Sequence, residues 1–114
     1  MSKSDLYKDQ IFKELEQAEA ARKEGNEGKT RVCARRAVGA AVLWYVLSHD
    51  RPLRARDTME LLRRAQEIPT FSPEMKQAAV RLSAKITPDF QYSSATDPLV
   101  DAHLIIDFVL KEKA

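Results

Sequence analysis

Cysteine, glycine and long apolar runs are scarce in this chain of 114 residues. Cys33 is the only cysteine, so it can form no internal disulfide and no cysteine cluster for zinc; we expect a buried side chain and a reducing, cytoplasmic compartment. Three glycines and five prolines exclude collagen-like and low-complexity sequences. The longest apolar stretch, residues 37–47, is too short for a bilayer core that needs about 20 residues, and the N-terminus lacks a signal-peptide run. We therefore expect no membrane partner.

Residues typical of catalysis are also few. His49 and His103 are the only histidines, and neither belongs to a metal-binding pair or to a nucleophile motif. Asp107 follows His103 by one helical turn, which predicts a local ion pair rather than a general base. No phosphate-binding glycine loop is present. The residues alone therefore predict no catalytic site, no metal site and no cofactor.

Helical periodicity predicts an all-α protein with a single domain, residues 1–114. Its composition, 44% hydrophobic and 32% charged, is that of an ordinary folded domain. Apolar residues recur at steps of three and four, as in the first helix at Tyr7, Ile11, Leu15 and Ala18. Gly25 and Asn26 predict a helix stop and a cap for the second helix, Asp57 and Glu60 have capping-box spacing, and Ser72 before Pro73 predicts an N-cap. The expected fold is an up-and-down bundle of four or five helices, over about residues 4–23, 27–48, a short helix after Asp57, 73–86 and 98–111.

The second helix is the expected centre of this bundle. Its residues 37–47 are apolar on every helical face, so we expect other helices to surround them. Gly39 lies within a patch of alanines, which indicates close approach of another helix in the same or a second subunit. A structural adaptor that docks a helix at Gly39 is therefore one possible function.

Arginines mark the candidate binding site. Residues 29–64 contain nine basic and three acidic side chains, although the whole chain has a net charge of only +2. This local excess suits an anionic partner, because the guanidinium fork matches phosphate and carboxylate groups. A solvated face beside an acidic helix is the equally weighted alternative. The candidate ligand-binding residues are Arg31, Arg35, Arg36 and Arg56.

Arg36 occupies a helical line with apolar neighbours, namely Val32, Ala40, Leu43 and Leu47. An arginine in such a line needs an anionic partner. The candidates are an acidic side chain of the first or last helix, which is favoured, or a bound phosphate. The same alternatives apply to Arg35.

Three segments carry a resemblance to a known family. They are Arg-Arg-Ala-Val-Gly-Ala-Ala-Val-Leu-Trp-Tyr-Val-Leu (35–47), Arg-Asp-Thr-Met-Glu-Leu-Leu (56–62) and Asp-Ala-His-Leu-Ile-Ile-Asp-Phe-Val (101–109). From about residue 15 to its end, the chain resembles the HEPN family of small helical bundles. Ala37 and Leu62 fit the family pattern, whereas Gly39 replaces its usual Glu and Arg56 replaces the His before Asp57.

The resemblance implies a four- or five-helix bundle that dimerises. Family members partner with minimal nucleotidyltransferases in toxin–antitoxin pairs, cleave RNA without metal, or bind nucleotides. The ribonucleases carry an Arg followed by four to six residues and a His, and neither histidine here has an Arg at that distance.

We therefore predict a homodimeric, non-catalytic HEPN-like binding module. Its expected partner is a nucleotide, RNA or a nucleotidyltransferase, and nothing in the sequence indicates DNA. The alternatives are a ribonuclease with a degenerate site that uses His103 or His49, and the helical adaptor.

Overall fold

The computed structural model describes residues 3–48, 57–84 and 97–113, and this part of the chain forms five α-helices and no strand. The helices pack into a bundle of 42 × 29 × 23 Å, which confirms the all-α prediction. Expectations for the segments 49–56 and 85–96, including Arg56 and His49, lie outside the described residues. The helices are α1 (Lys3–Lys23), α2 (Glu27–Ser48), α3 (Thr58–Ala65), α4 (Pro73–Ser83) and α5 (Pro98–Lys113).

The core surrounds α2, which contacts each of the other four helices. On α1, the predicted apolar face is buried through Ile11, Leu15 and Ala18, and α1 packs mainly on α2. Cys33 is also buried in this core, as expected. Burial of such side chains supplies most of the stabilisation of helices that are individually marginal in water.

A tight connection joins α1 to α2. Gly25 has a φ of +76°, a left-handed conformation that favours glycine. The Gly25 N–H donates to Arg22 O at 2.9 Å, and the Asn26 N–H donates to Ala21 O at 2.8 Å, the two bonds of a Schellman cap. The Asn26 side chain then accepts from the Lys29 N–H at 3.1 Å and caps α2. The predicted helix stop and cap are thus confirmed.

Aromatic contacts fix the position of α2 among its neighbours. The Tyr7 ring of α1 stacks on Trp44 near the far end of α2, with centroids 6.2 Å apart, so α1 and α2 are antiparallel. Tyr45 packs against Phe71 at 5.2 Å and against Phe108 of α5 at 6.0 Å. Because Phe71 lies in the α3–α4 connection, this cluster ties that connection and α5 to one side of α2.

The two predicted N-terminal caps of α3 and α4 have different outcomes. Ser72 accepts a hydrogen bond from the Met75 N–H at 3.2 Å, as predicted for α4. Asp57 has the extended backbone of an N-cap, but its side chain makes no capping hydrogen bond. Glu60, the expected second member of a capping box, pairs instead with Arg63 at 2.7 Å. The predicted capping box is therefore wrong, whereas the predicted start of α3 is right.

Gly39 lies where α3 crosses α2. A Cβ atom at this position would lie 3.5 Å from Thr58 Cγ2 and 3.6 Å from Leu61 Cδ1, both on α3. The close helix packing expected at Gly39 is therefore made within one chain. The face around Gly39 is covered by α3 and is not left open for a helix of another protein.

Candidate functional site

Arg31 and Arg35 bind the C-terminal end of α4. Arg31 Nη2 donates to Arg81 O at 2.5 Å and to Ala84 O at 3.4 Å. Arg35 Nε donates to Leu82 O at 2.5 Å, and its Nη2 donates to Ala84 O at 2.8 Å. Arg81 and Leu82 lie in the last turn of α4, and Ala84 is its C-cap, whose N–H donates to Arg81 O at 3.3 Å. At a helix C-terminus most carbonyls lack an intrahelical donor, and the helix dipole places partial negative charge there.

The backbone carbonyls that Arg35 binds differ from both partners expected for this side chain. The sequence favoured an acidic side chain over a bound phosphate, whereas the negative end of a helix accepts the hydrogen bonds described here. Arg31 is 7% exposed and Arg35 is half-buried, so both stems also pack against the bundle. Both arginines thus have a clear structural role, and an additional role in anion binding stays a prediction.

Arg36 has a different environment, one residue further along α2. Its side chain is exposed, and it makes no ion pair or hydrogen bond with the described part of the chain. An internal salt bridge to an acid of α1 or α5 is therefore not formed in the described ranges. Of the four candidate arginines, Arg56 lies outside these ranges, and Arg36 is the one the structure places in solvent.

Arg36 lies in the middle of a face of α2 that the described helices cover only in part. We call this face the open α2 stripe, and it consists of Val32, Arg36, Ala40, Leu43 and Leu47. Val32 is 40% exposed and Leu47 is 37% exposed, while Ala40 and Leu43 are partly buried. The expectation that other helices surround residues 37–47 is therefore confirmed except at Leu47, the one exposed residue of that stretch. A contiguous exposed apolar face can mark a surface that binds another protein.

Glu14 of α1 is a functional candidate that the sequence reasoning missed. It is only 7% exposed, and its Oε2 is buried without a hydrogen-bond partner among the described residues. Its Oε1 accepts a long hydrogen bond of 3.4 Å from Gln10, one turn earlier. The sequence contains evidence for its burial. Glu14 follows Ile11 by three residues and precedes Ala18 by four, which places a carboxylate within the apolar face of α1.

Two arginine–aspartate pairs fix the first turn of α5. Arg22 of α1 donates to both carboxylate oxygens of Asp97, at 2.8 and 2.7 Å, and this bond lowers the pKa of Asp97 below its usual range. Arg81 of α4 donates to the buried carboxylate of Asp101 at 2.8 Å, which raises the pKa of the arginine. Bidentate pairs of this kind fix orientation, so these acids act in the fold.

The described residues contain no group of acidic, histidine or cysteine side chains that could hold a metal ion. His103 Nδ1 lies 3.5 Å from Asp107 Oδ1 on the exposed side of α5, so the predicted local pair is confirmed. Within the described ranges, no helix is long and apolar enough to cross a membrane.

Comparison of the chain with models of protein families, with curated proteins and with solved structures yields no significant match. The resemblance to HEPN bundles therefore stays a prediction that rests on the quoted segments.

Proposed function

We propose that this protein is a non-catalytic, HEPN-like binding module that associates with protein partners through the open α2 stripe. The observation that carries the proposal is the exposure of Val32 and Leu47 on the helix that forms the centre of the bundle. Covering these apolar side chains releases water and stabilises a complex. Ala40 and Leu43 of this face pack partly against the core, whereas the rest of α2 packs against four helices.

A second copy of the chain is the first partner that we expect. A symmetric dimer brings the same patch of both subunits together, so one apolar stripe can cover another. The resemblance to the HEPN family also suggests a minimal nucleotidyltransferase as a partner in a toxin–antitoxin pair. Both proposals depend on a protein-binding surface and neither requires catalysis.

Light scattering of charge-insertion variants tests the surface. We expect a dimer mass for the wild type and a monomer mass for Leu47→Glu, because a carboxylate in the stripe would be buried by dimerisation. Val100→Glu is the matched control, since Val100 is 58% exposed on α5, away from the stripe, and it should keep the dimer mass. A monomeric wild type, or a folded Leu47→Glu dimer, would refute self-association at this face.

Nucleotide or RNA binding is a second candidate, and the observation that favours it is the exposed Arg36 without an ion-pair partner in the described ranges. Phosphate binding by arginines weakens steeply as salt rises, because bound counterions are released. We expect the affinity for an RNA oligonucleotide to fall with salt and with Arg36→Met. Insensitivity of the affinity to both changes would reject this candidate.

The ribonuclease alternative depends on a histidine. His103 already pairs with Asp107 at the surface, and we expect RNA incubated with the pure protein to stay intact. Cleavage that disappears in His103→Ala would instead establish an enzyme that uses this residue.

A further inference from the structure

Two side chains of opposite charge lack an ionic partner on the α1–α2 hairpin. Glu14 is buried, and its Oε2 accepts no hydrogen bond from the described residues. Arg36 is exposed and forms no ion pair within 4.0 Å in the same ranges. A buried polar atom without a partner is rare in folded proteins and requires a physical explanation. A cationic group supplied from outside the chain would satisfy Glu14.

The helical geometry places both side chains on one face of the hairpin. Leu15 and Arg22 share a line of α1, and Arg22 binds Asp97 beside α5, so this line marks the edge of α1 nearest α5. Glu14 lies about 100° away from Leu15, because an α-helix has 3.6 residues per turn. It therefore lies on the opposite edge of the buried face of α1, turned away from α5.

Arg36 is turned away from α5 in the same manner. Tyr45 of α2 contacts Phe108 of α5, and Arg36 precedes Tyr45 by nine residues, which places it about 180° around α2. The stacking of Tyr7 on Trp44 sets the antiparallel register. In this register Glu14 lies at the height of Ala37, next to Arg36 in sequence. The carboxylate and the guanidinium thus flank the same open stripe.

We propose that a second copy of the chain docks on the open α2 stripe, and that Arg36 of each copy binds Glu14 of the other. This inference rests on the proposed self-association and adds the ionic contact that specifies it. Each copy has one exposed cation, Arg36, and one buried carboxylate, Glu14, at the margin of the docking face. A two-fold axis near the stripe therefore brings each guanidinium to the Glu14 of the other copy. The surface is self-complementary in charge as well as in its apolar side chains.

Formation of the pair requires the Glu14 carboxylate, whose Oε2 is buried, to turn towards the surface and to exchange its hydrogen bond with Gln10. Gln10 donates only a 3.4 Å hydrogen bond to Glu14, and its side chain is exposed. A guanidinium forms shorter and stronger hydrogen bonds to a carboxylate than an amide does. The incoming arginine therefore replaces Gln10 at the carboxylate, and the carboxylate rotates to accept two donors.

Charge reversal with mixing tests this contact. Glu14→Lys and Arg36→Glu are purified separately, checked for folding by circular dichroism, and studied by sedimentation at several concentrations. Each variant alone places like charges together twice in a symmetric dimer, so we expect its dissociation constant to rise at least about 100-fold. An equimolar mixture restores both attractive pairs, and we expect a heterodimer with near wild-type affinity.

The outcomes separate the contact from the self-association. A wild-type dimer that both variants retain overturns the ionic contact and leaves the proposed function standing, whereas a monomeric wild type overturns both. A third protein combines Glu14→Lys and Arg36→Glu in one chain. Recovery of the dimer in this double variant but not in the mixture would mean that positions 14 and 36 pair within one chain, and it also overturns the proposal.

A neutral variant covers the case in which Glu14→Lys does not fold. Glu14→Gln removes the carboxylate that would repel the new acid in Arg36→Glu. We therefore expect the combined variant to dimerise at least about 10-fold more tightly than Arg36→Glu alone. Equal dissociation constants for these two proteins would overturn the pairing.

Discussion

Replacement of Arg35 by methionine tests whether the arginines of α2 that bind the end of α4 stabilise the folded protein. Arg35 Nε and Nη2 donate to Leu82 O and Ala84 O at 2.5 and 2.8 Å. Hydrogen bonds that involve a charged group contribute about 1.5–3 kcal/mol net. Ala84 is exposed, so water can replace part of the contact, and we expect Arg35→Met to lower the free energy of unfolding by about 2 kcal/mol.

Arg31→Met should cost more, about 3 kcal/mol, because Arg31 is 7% exposed and its closer partner is the carbonyl of half-buried Arg81 rather than that of exposed Ala84. Arg36→Met is the matched control on the same helix. Its side chain is exposed, so we expect a change below about 0.5 kcal/mol. Chemical and thermal unfolding monitored by circular dichroism measure these values, and 2 kcal/mol corresponds to a decrease in Tm of about 8 °C.

Hydrogen exchange supplies a local measurement of the same contact. In Arg35→Met, the amides of the last turn of α4 should exchange faster, whereas those of α1 should change only with global stability. Equal stability of Arg35→Met and Arg36→Met, with unchanged exchange in α4, would refute a capping role for Arg35.

Three further predictions concern the other helix ends and the α2–α3 contact. Ser72→Ala should lower the free energy of unfolding by about 1 kcal/mol. Asp57→Ala removes no cap hydrogen bond and should change the free energy of unfolding by less than about 0.5 kcal/mol. Equal losses of stability in the two variants would contradict the observed caps. Asp97→Asn should cost about 1 kcal/mol at neutral pH. Because Arg22 lowers the pKa of Asp97, this stabilisation is complete above about pH 3.9 and is lost as the pH falls through the lowered pKa. Urea titrations at acidic pH should therefore show a smaller difference in the free energy of unfolding between Asp97→Asn and wild type. A difference that does not shrink would refute the ion pair. Gly39→Ala should stabilise α2 by about 0.5–1 kcal/mol, since the added Cβ makes ordinary contacts. Gly39→Leu should destabilise the fold by about 1–3 kcal/mol. A higher Tm for Gly39→Leu than for Gly39→Ala would contradict the packing of α3.

These placements divide the surface of α2 by role. One side carries Arg31 and Arg35, which fix α4, and Gly39, which admits α3. The open α2 stripe lies next to this side, because Val32 is only about 20° from Gly39 around the helix axis. Val32 and Leu47 are partly exposed. Arg36 is exposed and makes no hydrogen bond or ion pair in the described ranges, so charge changes at Arg36 are suitable for testing binding alone.

The local features of this protein were determined by the sequence itself. The helix stop at Gly25, the N-cap at Ser72 and the His103–Asp107 pair were all predictable, because each depends on neighbours within about one helical turn. The apolar spacing likewise predicted which face of α1 is buried, since Ile11 and Ala18 recur at the helical period. Such interactions depend on the order of residues and not on how the helices meet.

Only the tertiary structure decided the partners that lie far apart along the chain. Arg31 and Arg35 donate to carbonyls 47 to 53 positions away, at a helix end that no local pattern places beside them. The same holds for the cover of Gly39 by α3 and for the open side of α2 around Arg36. Periodicity identifies an apolar face, but which faces are covered depends on the packing of all the helices together.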